Sequence, residues 1–164
     1  MKKILLITLG ALLPFICNVQ VLFAQNSTVQ PVSLEQALRM APQQDKKILV
    51  DVYAAWCPYC QRMHSDVYTD QNVLDAISDY FIWVKINVES DNKVKYMGAE
   101  MTEAEFARAL NNRNIPTTYF LNKSGEILGI QPGYIEEGTF SNLLNFVGSN
   151  AFLNQTFDEY IQQR

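Results

Sequence analysis

The chain has 164 residues, of which 48% are hydrophobic, and its formal net charge at pH 7 is −4. This length predicts one domain with a buried core, and no internal repeat indicates a second domain. The basic residues form no patch with interleaved aromatic side chains, so we expect no nucleic-acid partner.

The N-terminus has the three-part layout of a secretory signal. The basic start MKK is followed by the apolar run ILLITLGALLPFIC and by a more polar exit that reaches Ala24. The apolar run is shorter than the roughly 20 residues that a membrane span requires. We therefore predict a signal peptide over residues 1–24, export to the periplasm, a flexible lead-in over 25–32 and a domain over 33–164. An uncleaved membrane anchor is the alternative.

Removal of this signal would also remove Cys17 and leave Cys57, Cys60 and the only histidine, His64. An exported protein meets oxidising conditions, in which disulfides persist and an odd thiol is a liability. The two remaining cysteines are therefore expected to act as a pair.

The first half of the domain alternates helices and strands. Ser33 and Gln36 have the spacing of a capping box, and Asp70 is a candidate N-cap. In chain order the sequence predicts a helix in SLEQALRMAPQQ, a strand in KILVDVYAA, a helix in CPYCQRMHSDVY, a helix in QNVLDAISDY and a strand in FIWVKINV.

The second half begins with a polar segment, residues 89–101, that we expect to be a loop. Thr102 with Glu105, and Thr156 with Glu159, have capping-box spacing. The predicted elements are a helix in EAEFARALNN, the antiparallel strands TTYFLN and EILGIQ, a helix in EEGTFSNLLNFV and a last helix in FDEYIQQR. This order predicts an α/β fold, in which a mixed central sheet is flanked by helices on both faces.

The stretch AAWCPYCQRM holds the cysteine pair, and three chemistries are open to it. A structural zinc site requires four ligands, and this chain offers the pair and His64 alone. A copper or zinc carrier that uses the same three side chains stays as an alternative. A structural staple would close a very short loop and would remove little chain entropy.

A redox couple is the interpretation that we favour. If Cys57 opens a helix, then Cys60 lies on the same helix face three residues later. Free backbone N–H groups and the helix dipole at that end favour a thiolate on Cys57, which is therefore the predicted nucleophile. Cys60 would resolve the mixed disulfide.

Asp51 is an acidic residue within a strand that is otherwise apolar. A buried carboxylate is costly unless it is paired, so a place at a solvent-exposed strand end is one explanation. The other is a proton acceptor that activates the resolving thiol of Cys60.

These segments resemble the thioredoxin family. ILVDVYAAWCPYC is similar to the family's strand and active-site segment, NIPTTYF to its cis-proline segment, and QPGY to the turn that ends its last strand. The similarity runs from about residue 46 to residue 147. The exported form and the long segment before NIPTTYF resemble thioredoxin-like proteins of the SoxW type.

The resemblance implies a thioredoxin fold and the chemistry of a thiol–disulfide oxidoreductase that requires no cofactor and no metal. It implies that Lys85 pairs with Asp51, and that Ile115–Pro116 is a cis bond beside the disulfide. The expected partners are protein thiols and disulfides, with a membrane thiol electron donor, and the expected state is a monomer. A substrate groove is expected from Trp56, Pro58, Tyr59, Ile115 and Pro116.

The dipeptide between the cysteines departs from the usual thioredoxin pattern. Pro58-Tyr59 resembles glutaredoxins, whereas Trp56 and the residues Ile115, Asp51 and Lys85 resemble thioredoxins. We predict a reductase of protein disulfides, with a disulfide-forming oxidase as the alternative.

Overall fold

The structure, a computed structural model, describes residues 29–163. The predicted signal peptide, residues 1–24, lies outside the described residues. The helices are α1 Leu34–Gln44, α2 Pro58–Arg62, α3 Gln71–Tyr80, α4 Glu103–Ala109, α5 Glu137–Gly148 and α6 Phe157–Gln162. The strands are β1 Lys47–Tyr53, β2 Phe81–Asn87, β3 Lys93–Tyr96, β4 Ala99–Thr102, β5 Thr117–Leu121 and β6 Ile127–Pro132.

The central sheet has four strands in the order β2-β1-β5-β6. Strand β1 pairs with β2 in parallel and with β5 in antiparallel orientation, and β6 adds to β5 as an antiparallel edge. The parallel pair needs a crossover, which α2 and α3 supply. The predicted mixed sheet is thereby confirmed.

Side chains along β1 alternate between two cores, one on each face of the sheet. Ile48, Val50 and Val52 belong to a cluster with side chains of α1 and α4. Leu49 points to the opposite face and packs with side chains of α3 and α5. Helices therefore cover both faces, as predicted, and the same alternation places Asp51 on the face of Leu49.

Local capping signals position the helix starts. The side chains of Ser33, Thr102 and Thr156 each form a capping box at the start of α1, α4 and α6. The Asp70 side chain accepts hydrogen bonds from two backbone N–H groups of α3. Each cap contributes about 1 kcal/mol to stability.

Two segments differ from the sequence predictions. Residues 93–101, expected within a loop, form the antiparallel hairpin β3–β4 together with Thr102, and Val94 is buried in the core that contains Val50. The predicted helix after Cys57 is not uniform, because α2 continues into a π-helical turn over Met63–Val67.

The predicted lead-in, residues 25–32, makes contacts at its described end. Val32 bridges Val84 of β2, and its N–H donates to the carbonyl of Trp83 at 2.8 Å. Val29 packs against the second core. Residues 29–32 are therefore docked on the sheet edge, where the sequence led us to expect a flexible segment.

Among residues 29–163, no helix is both long and apolar enough to cross a membrane.

Candidate active site

The cysteine pair forms a closed disulfide at the start of α2. Cys57 is the N-cap residue, with extended backbone angles, and Pro58 occupies the first helical turn, where its missing N–H costs nothing. The Cα atoms of Cys57 and Cys60 are 5.2 Å apart. The backbone N–H of Cys60 donates to Sγ of Cys57 at 3.1 Å, a contact that favours negative charge on that sulfur.

Exposed aromatic side chains border the buried disulfide. Cys57 is 4% exposed and Cys60 is 1% exposed, so Cys57 is the more accessible of the two. By contrast, Trp56 is 63% exposed and Tyr59 is 61% exposed. Large apolar side chains left in solvent beside a reactive bond are typical of a surface that receives a partner.

The segment before β5 closes the other side of the disulfide. The Ile115–Pro116 peptide bond is cis, and Ile115 packs against the small cluster of Ala54, Cys57 and Cys60. The N–H of Gly133 donates to the carbonyl of Pro116 at 2.8 Å. Gly133, which follows β6, has a φ of 82°. Glycine adopts this conformation readily, which accounts for a glycine in the QPGY turn.

Asp51 lies in the middle of the sheet and is fully buried. The strand register places it opposite Lys85 of β2 and Thr118 of β5. Its Oδ2 atom is 2.5 Å from Nε2 of His64, whereas its buried Oδ1 atom has no hydrogen-bond partner in the described part of the chain. Asp51 is thus not at a solvent-exposed strand end, the first of the two explanations considered above.

The expected direct pairing of Lys85 with Asp51 is not found, because His64 occupies the place between them. Lys85 Nζ is 3.3 Å from Nδ1 of His64, and no ion pair within 4.0 Å joins Lys85 to Asp51 in the described chain. The Lys85 ammonium also lies 4.5 Å above the centre of the Tyr53 ring. Burial lowers the pKa of Lys85, and the charge of Asp51 partly opposes this.

The donor properties of Lys85 define the arrangement of protons in this chain of three side chains. An ammonium group carries donors only, so it donates to Nδ1 of His64. The neutral imidazole then carries its proton on Nε2, which donates to Oδ2 of Asp51. Asp51 therefore accepts through Oδ2 as a carboxylate, and the ammonium of Lys85 balances its charge.

Two tyrosines flank His64. The Tyr53 ring lies edge-on at 5.0 Å from the imidazole, and the Tyr68 ring lies 5.8 Å from it. Burial, followed by the charge of Asp51, raises the pKa of the Tyr68 hydroxyl well above its ordinary value. Tyr68 therefore stays neutral and contributes no charge to the site.

A cleft of about 420 Å³ opens on the far side of His64 and Lys85. Its other walls come from the docked lead-in, residues 29–31, and from Tyr68 and Trp83. The His64 side chain is 24% exposed, so it joins a fully buried carboxylate to solvent.

Only a weak sequence signal points to His64 as a site residue. A spacing of four residues from Cys60 predicts only that the two side chains share a helix face, which is also typical of a histidine with a packing role. Asp51 and Lys85 point to the same face of the sheet, and the π-helical turn places His64 in contact with both. In the described chain no group of three or more His, Cys, Asp or Glu side chains is placed to hold a metal ion. Both ring nitrogens of His64 face other partners, so the geometry does not support the copper or zinc carrier.

The fold and the Cys57–Cys60 disulfide define a thioredoxin-like thiol–disulfide oxidoreductase. The family model of the thioredoxin-like domain matches residues 34–148, and the chain belongs to that family.

Relatives and solved structures agree with this assignment. The thiol:disulfide interchange protein DsbD of Pseudoalteromonas atlantica is 30% identical over 109 residues, which cover 65% of this chain and 17% of the relative. The chain thus spans about a sixth of the length of the curated relatives it matches first. A thioredoxin from Thermus thermophilus matches with a TM-score of 0.59 and 25% identity, over 73% of this chain and 87% of its own. A putative disulphide-isomerase from Bacteroides thetaiotaomicron matches with a TM-score of 0.55 and 26% identity, over 71% and 88%.

Proposed function

We propose that the chain is an exported oxidoreductase that reduces protein disulfides by exchange at Cys57 and Cys60. The observation that carries the proposal is the buried Cys57–Cys60 disulfide, bordered by the exposed side chains of Trp56 and Tyr59. A protein substrate would rest on these aromatic rings, on Pro58 and on the Ile115–Pro116 segment.

The reaction begins with the reduced pair. The Cys57 thiolate attacks one sulfur of the substrate disulfide, and the other substrate sulfur leaves as a thiolate. Cys60 then loses its proton to Asp51 and attacks Cys57, which breaks the mixed disulfide and releases the second substrate thiolate. The pair ends as the Cys57–Cys60 disulfide, and two electrons have passed to the substrate.

Cys57 is proposed as the nucleophile because its sulfur accepts the N–H of Cys60 and because Cys57 is the more exposed residue of the two. Both features favour a reactive thiolate. Lys85 supports the proton transfer through His64, with which it makes its contact.

The reducing direction rests on resemblance. Ile115 before Pro116, together with Asp51 and Lys85, is the thioredoxin pattern. The relatives named thiol:disulfide interchange proteins support exchange with protein thiols. A membrane thiol electron donor that would return electrons to the disulfide rests on the family resemblance alone.

Export rests on the signal predicted over residues 1–24, and the SoxW-type assignment rests on the same exported form. The mature chain is expected to begin near Gln25. Mass spectrometry of the protein recovered from the periplasm checks this prediction. A mass that includes residues 1–24 would contradict the proposed cleavage.

The exchange reaction is tested with insulin as the protein substrate. The reduced wild-type protein is expected to cleave insulin disulfides and precipitate the freed chain. The Cys60→Ala variant is expected to hold an insulin chain covalently on Cys57, because no thiol resolves it, whereas Cys57→Ala is expected to hold almost none. Non-reducing gel electrophoresis measures both adducts. Equal adduct formation by the two variants would contradict the assigned order of the thiols, and no insulin cleavage by wild type would contradict the function.

A further inference from the structure

We propose that His64 is a positioning residue that keeps Asp51 ionised for the release step and connects it to solvent through the adjoining cleft. The inference rests on the proposed function, because it concerns the step in which Cys60 is deprotonated. The family resemblance assigned the place beside the carboxylate to Lys85, so the role of His64 follows from the geometry of this chain alone.

The first argument is that the two carboxylate oxygens of Asp51 have different surroundings. Oδ2 accepts the Nε2–H of His64 at 2.5 Å, which stabilises the carboxylate form. Oδ1 is buried and has no hydrogen-bond partner in the described chain. A buried acceptor without a partner is costly, and such an atom is free to receive a proton. Oδ1 is therefore the atom assigned to receive the Cys60 proton.

The second argument is the set of charged and titratable groups around the imidazole. Asp51 and Tyr53 face it from β1, Lys85 faces it from β2, and Tyr68 lies on its own turn. Of these, Asp51 is the only acid that contacts it, and the Lys85 ammonium donates to Nδ1. This fixes the proton on Nε2, directed at Asp51, as long as Lys85 is charged.

The third argument is access. Asp51 itself is fully buried, whereas His64 and Lys85 both line the cleft of about 420 Å³. The chain Lys85–His64–Asp51 is thus a continuous hydrogen-bonded path from the cleft to the carboxylate.

In the release step the Cys60 S–H bond breaks and its proton goes to Oδ1 of Asp51. The Cys60 electron pair forms the bond to Cys57, and the substrate sulfur leaves with the electron pair of the mixed disulfide. His64 keeps its hydrogen bond to Oδ2 throughout, so its effect is on how readily Asp51 is ionised before the step.

The experiment follows both exchange steps with a small aromatic disulfide, 5,5′-dithiobis(2-nitrobenzoate), in a stopped-flow instrument. The reduced protein is expected to release two coloured thiolates in two phases, the first by attack of Cys57 and the second by attack of Cys60. The rate of the second phase is recorded from about pH 5 to about pH 9, the range in which histidine ordinarily changes charge.

In His64→Ala the Asp51 carboxylate loses the hydrogen-bond donor that stabilises its charged form. The acid limb of the second phase is expected to move up by about one pH unit, so that release on that limb is about tenfold slower. The first phase is expected to be unchanged, because the attack by Cys57 transfers no proton to Asp51.

Two amides serve as a matched pair. His64→Gln carries an N–H at the position of Nε2 and is expected to restore most of the wild-type profile. His64→Asn is shorter, does not reach Asp51 and is expected to behave like His64→Ala. A cooperative thermal unfolding transition, measured for each variant, checks that the variant is folded.

The outcomes separate this inference from the proposed function. A wild-type protein that releases only one thiolate would contradict the function itself, since Cys60 would not resolve. Two phases in wild type with an unchanged second-phase pH profile in His64→Ala, or equal profiles of the Gln and Asn variants, would overturn the role of His64 alone.

Discussion

Asp51 lies in the middle of β1 and is fully shielded from solvent, which is an unusual place for a carboxylate. Elsewhere such a carboxylate would be a liability, because burial of an unpaired charge costs more than most contacts return. Here one oxygen is held by His64 and the other is left without a partner in the described chain. One oxygen is thus stabilised by a hydrogen bond, and the other is left open to accept a proton.

Replacement of Asp51 by Asn tests this account of the residue. The neutral amide keeps an oxygen for the Nε2–H of His64, so we expect a folded protein that is no less stable than wild type. The release step loses its proton acceptor and is expected to slow by about a hundredfold between about pH 6 and pH 8. The second phase of thiolate release measures it.

The matched control is Asp66→Asn, which removes an exposed carboxylate that pairs with Arg62 at 3.3 Å on the neighbouring turn. This exposed pair contributes little, so the control is expected to keep the wild-type rate. A rate in Asp51→Asn equal to that of the control would rule out Asp51 as the proton acceptor.

At this scale the sequence predicted the reactive residues better than their connections. The spacing of Cys57 and Cys60 is local, so the sequence carries it directly. The contact of His64 with Asp51 joins residues 13 positions apart through a π-helical turn, and no local pattern announces it. The strand register does place Lys85 opposite Asp51, as the resemblance implied, but it does not reveal the His64 side chain that contacts both.

Among the elements, the helices were predicted well because their signals lie within four residues of sequence. The capping boxes at Ser33, Thr102 and Thr156 were all confirmed. The β3–β4 hairpin was missed because its two-residue turn is Met97-Gly98, with φ values of 48° and 83°. Such turns usually carry Asn-Gly or Asp-Gly, and a methionine at positive φ hides the pattern.

Helix α5 offers a test of packing at the element scale. Its last residue, Gly148, lies against the Tyr80 side chain of α3, and an added Cβ would come within 2.6 Å of the Tyr80 Cβ. We expect Gly148→Ala to lower the free energy of unfolding by about 1–3 kcal/mol through overpacking. Chemical denaturation of the oxidised protein measures this.

The same helix supplies the control. Gly138 has no heavy atom within 4 Å of an added Cβ, so Gly138→Ala is expected to raise stability by up to about 1 kcal/mol. If both substitutions raised stability equally, the close contact of α5 with α3 would be contradicted.

For the whole molecule, the alternation along the strands explains why the site lies where it does. One face of β1 and β2 is apolar and faces α1 and α4, whereas the other face carries Leu49, Trp83, Asp51 and Lys85. Asp51 and Lys85 lie opposite each other on that face, and both contact His64 of the π-helical turn that follows the disulfide. The mixed sheet and its two layers of helices were predicted from element order and from resemblance, and both are confirmed.

The reduction potential of the Cys57–Cys60 pair tests the central claim, that this oxidoreductase works as a reductant of protein disulfides. It is measured by equilibration of the purified protein with glutathione buffers of known ratio, followed by alkylation of the free thiols. Known Cys-x-x-Cys proteins extend from about −270 mV for thioredoxin to about −120 mV for a strong oxidant. We predict a value nearer to about −270 mV, and a value near about −120 mV would contradict the account and favour the oxidase.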